Sequence, residues 1–176
     1  MFKEGAKVDL RLAKKDDLSK LENMFISIVE QMDKNGIHIW NEYYPFEEFE
    51  NDIDNQRLYL LVEGELICSA FVLLDDIDGS DCFDWKNKKA KAKYMGRFGV
   101  NTEFLRKGIA SKTIQYAKDI CRKIDVEFLR LTVGKNNYPA ISLYLKNGFV
   151  SVGGEYKEYS PTLGKTINEV GYELKI

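Results

Sequence analysis

The patterning of this chain predicts a mixed α/β fold, in which a mostly antiparallel central sheet is flanked by helices. Three observations carry that expectation. Leu58 to Val62 and Leu66 to Leu74 are apolar runs joined by Glu63-Gly64-Glu65, the spacing and turn glycine of an antiparallel hairpin. Tyr94 to Val100 reads as a buried strand that leads through Phe104-Leu105-Arg106-Lys107-Gly108 into a long amphipathic segment, giving strand, turn, helix. Phe128 to Val133 reads as a further strand, followed by Asn136-Asn137 and a helix opened by Pro139 and closed by Gly148.

The remaining elements follow in order. Residues 1–7 read as a loose end. Val8 to Leu12 alternates apolar and charged residues as a half-buried strand does, and Asp16 and Asp17 then stand where the helix dipole favours negative charge. Leu18, Leu21, Phe25, Ile28 and Met32 carry the first helix until Gly36 breaks it. An aromatic segment, residues 37–45, precedes a short acidic helix from Phe46 to about Ile53. After the hairpin, an acidic loop from Asp75 to Asp84 leads to the Tyr94 strand. Gly96 and Gly99 inside that strand mark a bulge or a close approach by another backbone or a ligand. Ala110, Ile114, Ala117, Cys121 and Ile124 recur at steps of three and four and line one face of the following helix. Phe149 to Val152 and Val170 to Ile176 supply two more strands. No internal repeat or second domain is visible, and residues 1–176 read as one domain.

The turn before the long helix suits an anion. Backbone N–H groups at a helix start have no intrahelical partner, and the dipole adds positive charge there. Gly108 lets the backbone come close to a ligand, Ala110 and Ser111 keep the approach uncrowded, Ile109 lies between Gly108 and Ala110 with its backbone N–H at the helix start, and Arg106 and Lys107 add charge. A pyrophosphate fits such a turn. Composition excludes other classes. A net charge of −2 gives no support to nucleic-acid binding, and no apolar run is long enough to cross a membrane. A soluble, cytoplasmic protein is expected. The three cysteines lack a CxxC pair, His38 has no second imidazole near it, and the acidic loop at Asp76 to Asp81 lacks EF-hand spacing, so no metal is expected.

Taken together, these motifs resemble the GNAT superfamily of acyl-CoA-dependent N-acyltransferases. Its pyrophosphate loop runs Arg or Gln, two residues, Gly, one residue, then Gly or Ala. Gly108 and Ala110 match, while Leu105 stands where Arg or Gln is usual and Arg106 comes one residue late. A second pattern, Asn, two residues, Ala, a Tyr four residues on and a Gly-Phe pair, is matched by Asn137, Ala140, Tyr144, Gly148 and Phe149.

The resemblance implies acetyl-CoA as co-substrate. It implies that the strand splays so that the backbone of Phe98, Gly99 and Val100 pairs with the pantetheine, that Asn137 contacts that arm, and that Tyr144 protonates the departing thiolate. Each residue also has a plainer reading: Tyr144 as packing under the sheet, Asn137 as a helix cap, Arg106 and Lys107 as a solvated face. His38, Trp40 and Tyr43 fall where the family places one wall of its acceptor cleft, beside Glu42, Glu47, Glu48 and Glu50, although local packing also accounts for them. No residue stands out as the base. The expected acceptor is a small-molecule amine or a peptide N-terminus, and a homodimer is left open. The alternative function is a non-catalytic acyl-CoA-binding or sensing module. A Rossmann-type nucleotide binder is disfavoured because the full G-x-G-x-x-G pattern is missing.

Overall fold

The computed structural model describes residues 7–176, so the loose end expected over residues 1–7 lies, apart from Lys7, outside the described residues. The elements are β1 (Asp9–Leu12), α1 (Leu18–Lys34), α2 (Phe49–Asp54), β2 (Leu58–Glu63), β3 (Leu66–Leu74), β4 (Ala92–Val100), α3 (Ile109–Lys123), β5 (Phe128–Gly134), α4 (Tyr138–Lys146), β6 (Val150–Ser151), β7 (Tyr156–Ser160) and β8 (Lys165–Lys175). They build one sheet in the order β1-β2-β3-β4-β5-β8-β6, with β7 also paired to β8. Every pairing is antiparallel except β4 with β5.

Alternation within the strands sends side chains to two cores. On one face, Leu21, Phe25 and Ile28 of α1 and Phe49 of α2 pack on Leu60, Ala70 and Val72. On the other, Ile114, Ala117 and Cys121 of α3 and Tyr144 of α4 pack on Phe71, Met95, Leu131 and Val133. Each fully buried Leu, Ile or Phe contributes about 1.5–3 kcal/mol, which makes these two layers the main source of stability.

Local chemistry fixes the entry to α1. Both oxygens of the Asp17 carboxylate accept from the Arg11 guanidinium at 2.7 Å, and Oδ2 also accepts the Lys14 N–H at 2.8 Å. Asp17 is therefore a tie between β1 and the helix start as well as a charge suited to the dipole.

Three expectations are corrected. Ile124 leaves the α3 stripe, because the helix ends at Lys123 and Ile124 is its 40% exposed cap. Ile109 and Thr113 join the stripe instead, the Thr113 hydroxyl donating to the Ile109 carbonyl at 2.8 Å and meeting the Ser69 hydroxyl at 2.6 Å. The C-terminal region holds β7 and a β8 that starts at Lys165, where only Val170 onward is patterned as a strand. Lys157, Glu158 and Tyr159 of β7 are exposed, so no buried alternation marks it.

Candidate active site

The parallel register of β4 with β5 runs only from Ala92 opposite Phe128 to Tyr94 opposite Arg130. Beyond that row β4 stays with β3 and β5 stays with β8, so the two strands part and Phe98, Gly99 and Val100 lie on the parted stretch. The deformation that the strand glycines foretell is present. Ala70 faces Gly99 and Val72 faces Gly96, so that Arg97 and Phe98 together oppose Phe71 in a bulge, with Arg97 at φ 45°. Its cause at Gly99 is packing: a Cβ there would sit 2.8 Å from Ile28 Cδ1 and from Phe25 Cζ, so α1 requires the glycine.

The left-handed turn at Arg97 directs its guanidinium to Asp52, at 2.6 Å from Nε and 2.7 Å from Nη2. Arg57 Nε adds a third bond at 2.6 Å, and Asp52 is fully buried. Removing one member of such a buried set typically costs about 3–5 kcal/mol. Sequence patterning assigns Asp52 only to an acidic helix, and the one hint of its partner is an arginine inside a strand that otherwise reads as buried.

From β4 the chain enters a 3-10 turn, Thr102–Phe104, pinned by Asn101. Its Oδ1 accepts the Glu103 N–H at 3.0 Å and its Nδ2 donates to the Ile67 carbonyl at 2.8 Å. Leu105 is exposed, Arg106 has φ 60°, and Lys107 turns back to donate to the Glu103 carbonyl at 2.7 Å with its ammonium 5.3 Å over the Phe104 ring. Gly108, at φ 77°, is the N-cap of α3 and offers no side-chain cap. A Cβ at Gly108 would meet nothing within 4 Å. The N–H groups of Ile109, Ala110 and Ser111 stand at a helix start without intrahelical partners, and no atom crowds the Gly108 position before them, an arrangement that fits a pyrophosphate. The Ile109 side chain is buried with Leu61 and Phe104, which leaves only its backbone to a ligand. The Ser111 hydroxyl accepts from Asn147 Nδ2 at 3.1 Å and ties α3 to α4.

Asn137 is the N-cap of α4, its Oδ1 accepting the Ala140 N–H at 3.3 Å. Tyr144 is buried on the inner face of that helix with its ring edge-on to Phe149 at 5.7 Å. Burial pushes its phenol well above the ordinary value of 10.0, and its hydroxyl makes no hydrogen bond among the described residues.

Opposite, the 37–45 segment closes over the α1 side of the sheet. Trp40 packs on Phe25 at 5.4 Å, His38 Nδ1 meets Asp33 Oδ1 at 2.7 Å, and Tyr43 is exposed. Asn41 Nδ2 donates to Thr162 Oγ1 at 2.8 Å, joining this segment to the β7–β8 turn. A cleft of about 610 Å³ opens there between Glu30, Trp40, Glu42 and Lys165, and a second of about 430 Å³ lies between Leu10 and Tyr116. Neither contains Gly108 or Tyr144. Glu42, Glu47 and Glu50 are exposed and Glu48 is half-buried. Patterning overlooked Glu169 of β8, a half-buried carboxyl whose pKa is raised above its ordinary value chiefly by burial, partly offset by the neighbouring Thr132 hydroxyl. Among the described residues no metal-binding cluster of His, Cys, Asp or Glu forms, and no helix is long and apolar enough to cross a membrane.

Comparison with known proteins places this geometry. Residues 24–149 match the family model described as the acetyltransferase (GNAT) family. No curated protein matches the chain significantly. Among solved structures, a GNAT-family acetyltransferase from Listeria monocytogenes superposes with a TM-score of 0.76 at 18% identity, covering 96% of this chain and 95% of that one. A Staphylococcus aureus protein assigned as an acetyltransferase gives 0.70 at 25% identity, with 94% and 97% covered. The yncA protein of Salmonella typhimurium, with its cofactor acetyl-CoA, gives 0.65 at 15% identity, with 97% and 94% covered.

Proposed function

The chain belongs to the acetyltransferase (GNAT) family, and from that premise we propose that it transfers the acetyl group of acetyl-CoA to a primary amine, with residues 1–176 acting as one catalytic domain. The observation that carries this reading is the parting of β4 from β5 directly before a helix start whose capping glycine has open space beside it. In this reading the N–H groups of Ile109, Ala110 and Ser111 hold the pyrophosphate, with Arg106 and Lys107 beside them and Gly108 leaving room. The backbone of Phe98, Gly99 and Val100 pairs with the pantetheine as an added strand would, and Asn137 fixes the start of α4 against that arm.

Bound acetyl-CoA supplies an activated acyl thioester. In this reading the Val100 N–H stabilises the negative charge that grows on the carbonyl oxygen, and Tyr144 supplies the proton that the sulfur needs. A buried phenol with a raised pKa stays protonated through the neutral range. A cytoplasmic site of action accords with this donor.

A second reading, an acyl-CoA-binding or sensing module without turnover, is favoured by Leu105 in the place of Arg or Gln. Thiol release from acetyl-CoA, measured against a panel of alkylamines, polyamines, amino acids and peptide N-termini, separates the two. Acceptor-dependent release is expected. Tight CoA binding with no release for any acceptor would replace the enzyme by the module.

A further inference from the structure

On the α1 side of the sheet, β5 and β8 form a row where the strands part. Glu169 is paired with Gly134 and Gly171 with Thr132, and residues two apart share a face, so the Glu169 and Thr132 side chains point the same way. The 37–45 segment roofs this row: a Cβ at Gly134 would lie 3.2 Å from Ile39 Cγ2. At the end of that roof, the Tyr44 hydroxyl receives Arg97 Nη1 at 3.5 Å and feels the charge of Glu169. Glu169 therefore sits between the roof and the opened strands, while Tyr144 lies in the core on the opposite face with Val133. A displacement at a carbonyl needs a proton acceptor for the incoming nitrogen and a donor for the departing sulfur, and the two faces of the opened sheet offer one each.

We propose that Glu169 is the group that takes the proton from the acceptor amine, with Thr132 beside it on the same face of the sheet. This rests on the acetyltransferase reading given above. An alkylammonium acceptor loses two protons in the reaction. One passes to the Glu169 carboxylate and then to water. The nitrogen lone pair forms the C–N bond as the C–S electron pair leaves on sulfur, which Tyr144 protonates. The other proton, released by nitrogen, restores the phenol.

The groups facing Glu169 are Thr132 on β5, Glu158 and Tyr156 on β7, and Tyr44 on the roof. Burial raises the Glu169 pKa first, the nearby Thr132 hydroxyl lowers it in part, and the charge of Glu158 raises it further. Because the carboxylate form is the active one, kcat/KM must rise with pH through this raised value.

The test uses the panel amine with the fastest wild-type turnover. Glu169→Gln keeps shape and is expected to lower kcat on the order of a hundredfold or more and to erase the acid limb of kcat/KM, with acetyl-CoA affinity by calorimetry unchanged. An infrared carboxyl band titrating above 4.5 should vanish in the same variant. Thr132→Val removes the neighbouring hydroxyl that favours the anion, so the acid limb should move to higher pH. A Glu169→Gln enzyme with wild-type rate and pH profile, or a Thr132→Val enzyme with an unmoved limb, overturns the proposal. A wild-type protein that releases no thiol with any acceptor overturns the function instead.

Discussion

Tyr144 serves packing, and the chemistry proposed for it separates from that use at its hydroxyl. The ring fills the core between α4 and the sheet, but the oxygen has no partner among the described residues. Tyr144→Phe therefore keeps the packing, and stability and CoA affinity should hold to within about 1 kcal/mol, the usual worth of a single hydrogen bond. Acetyl transfer should slow by roughly a hundredfold to ten-thousandfold if the phenol is the acid. Single-turnover kinetics check this, and a fall below about threefold, with chemistry limiting, would pass the role to water or another residue. The position of Tyr144 on the inner face of α4 was legible because it falls in a spaced motif. Asp52 and Glu169 were not, since a carboxylate's burial and its partners are set by elements distant in sequence: Arg97 is on β4 and Thr132 is on β5.

At the scale of elements, legibility followed burial. The β2–β3 hairpin was readable because its strands face a core and its turn holds a glycine, whereas the exposed β7 carried no alternation to read. The β4 glycines signalled deformation correctly but not its agent, because a missing side chain looks the same in sequence whether a ligand or α1 takes the space. Gly108 is the informative contrast. A Cβ there strikes nothing in the protein, so Gly108→Ala should cost folding only the strain of a left-handed backbone, about 1–2 kcal/mol, with more for Gly108→Val. Both side chains would add bulk at the capping position, where the proposed pyrophosphate approaches the backbone. Calorimetry on the folded variants should show CoA affinity weakened, and weakened further with valine than with alanine. Unchanged affinity in a folded Gly108→Val protein would move the pyrophosphate away from this turn.

Across the whole molecule, local periodicity could supply strands but not their neighbours. The placement of β8 between β5 and β6 and the divergence of β4 from β5 depend on pairings distant in sequence, and only the family resemblance pointed to them. One continuous sheet carries both cores, and α1, α3 and the parted strands are packed through it, so the chain should unfold in a single cooperative transition with coincident tertiary and secondary signals. A ligand seated between the parted strands binds the native state alone and must raise its stability by mass action. At CoA concentrations about a hundred times Kd the gain is about 2.7 kcal/mol. For a domain of this size about 2–4 °C accompanies each kcal/mol, so the Tm should rise by roughly 5–11 °C. In Gly108→Val the rise should shrink in step with the lost affinity, while in Tyr144→Phe it should persist if, as proposed, the hydroxyl acts on the leaving sulfur and not on binding. A melt in two separated steps, of which CoA shifts only one, would divide the chain into independent units and confine the cofactor to one of them.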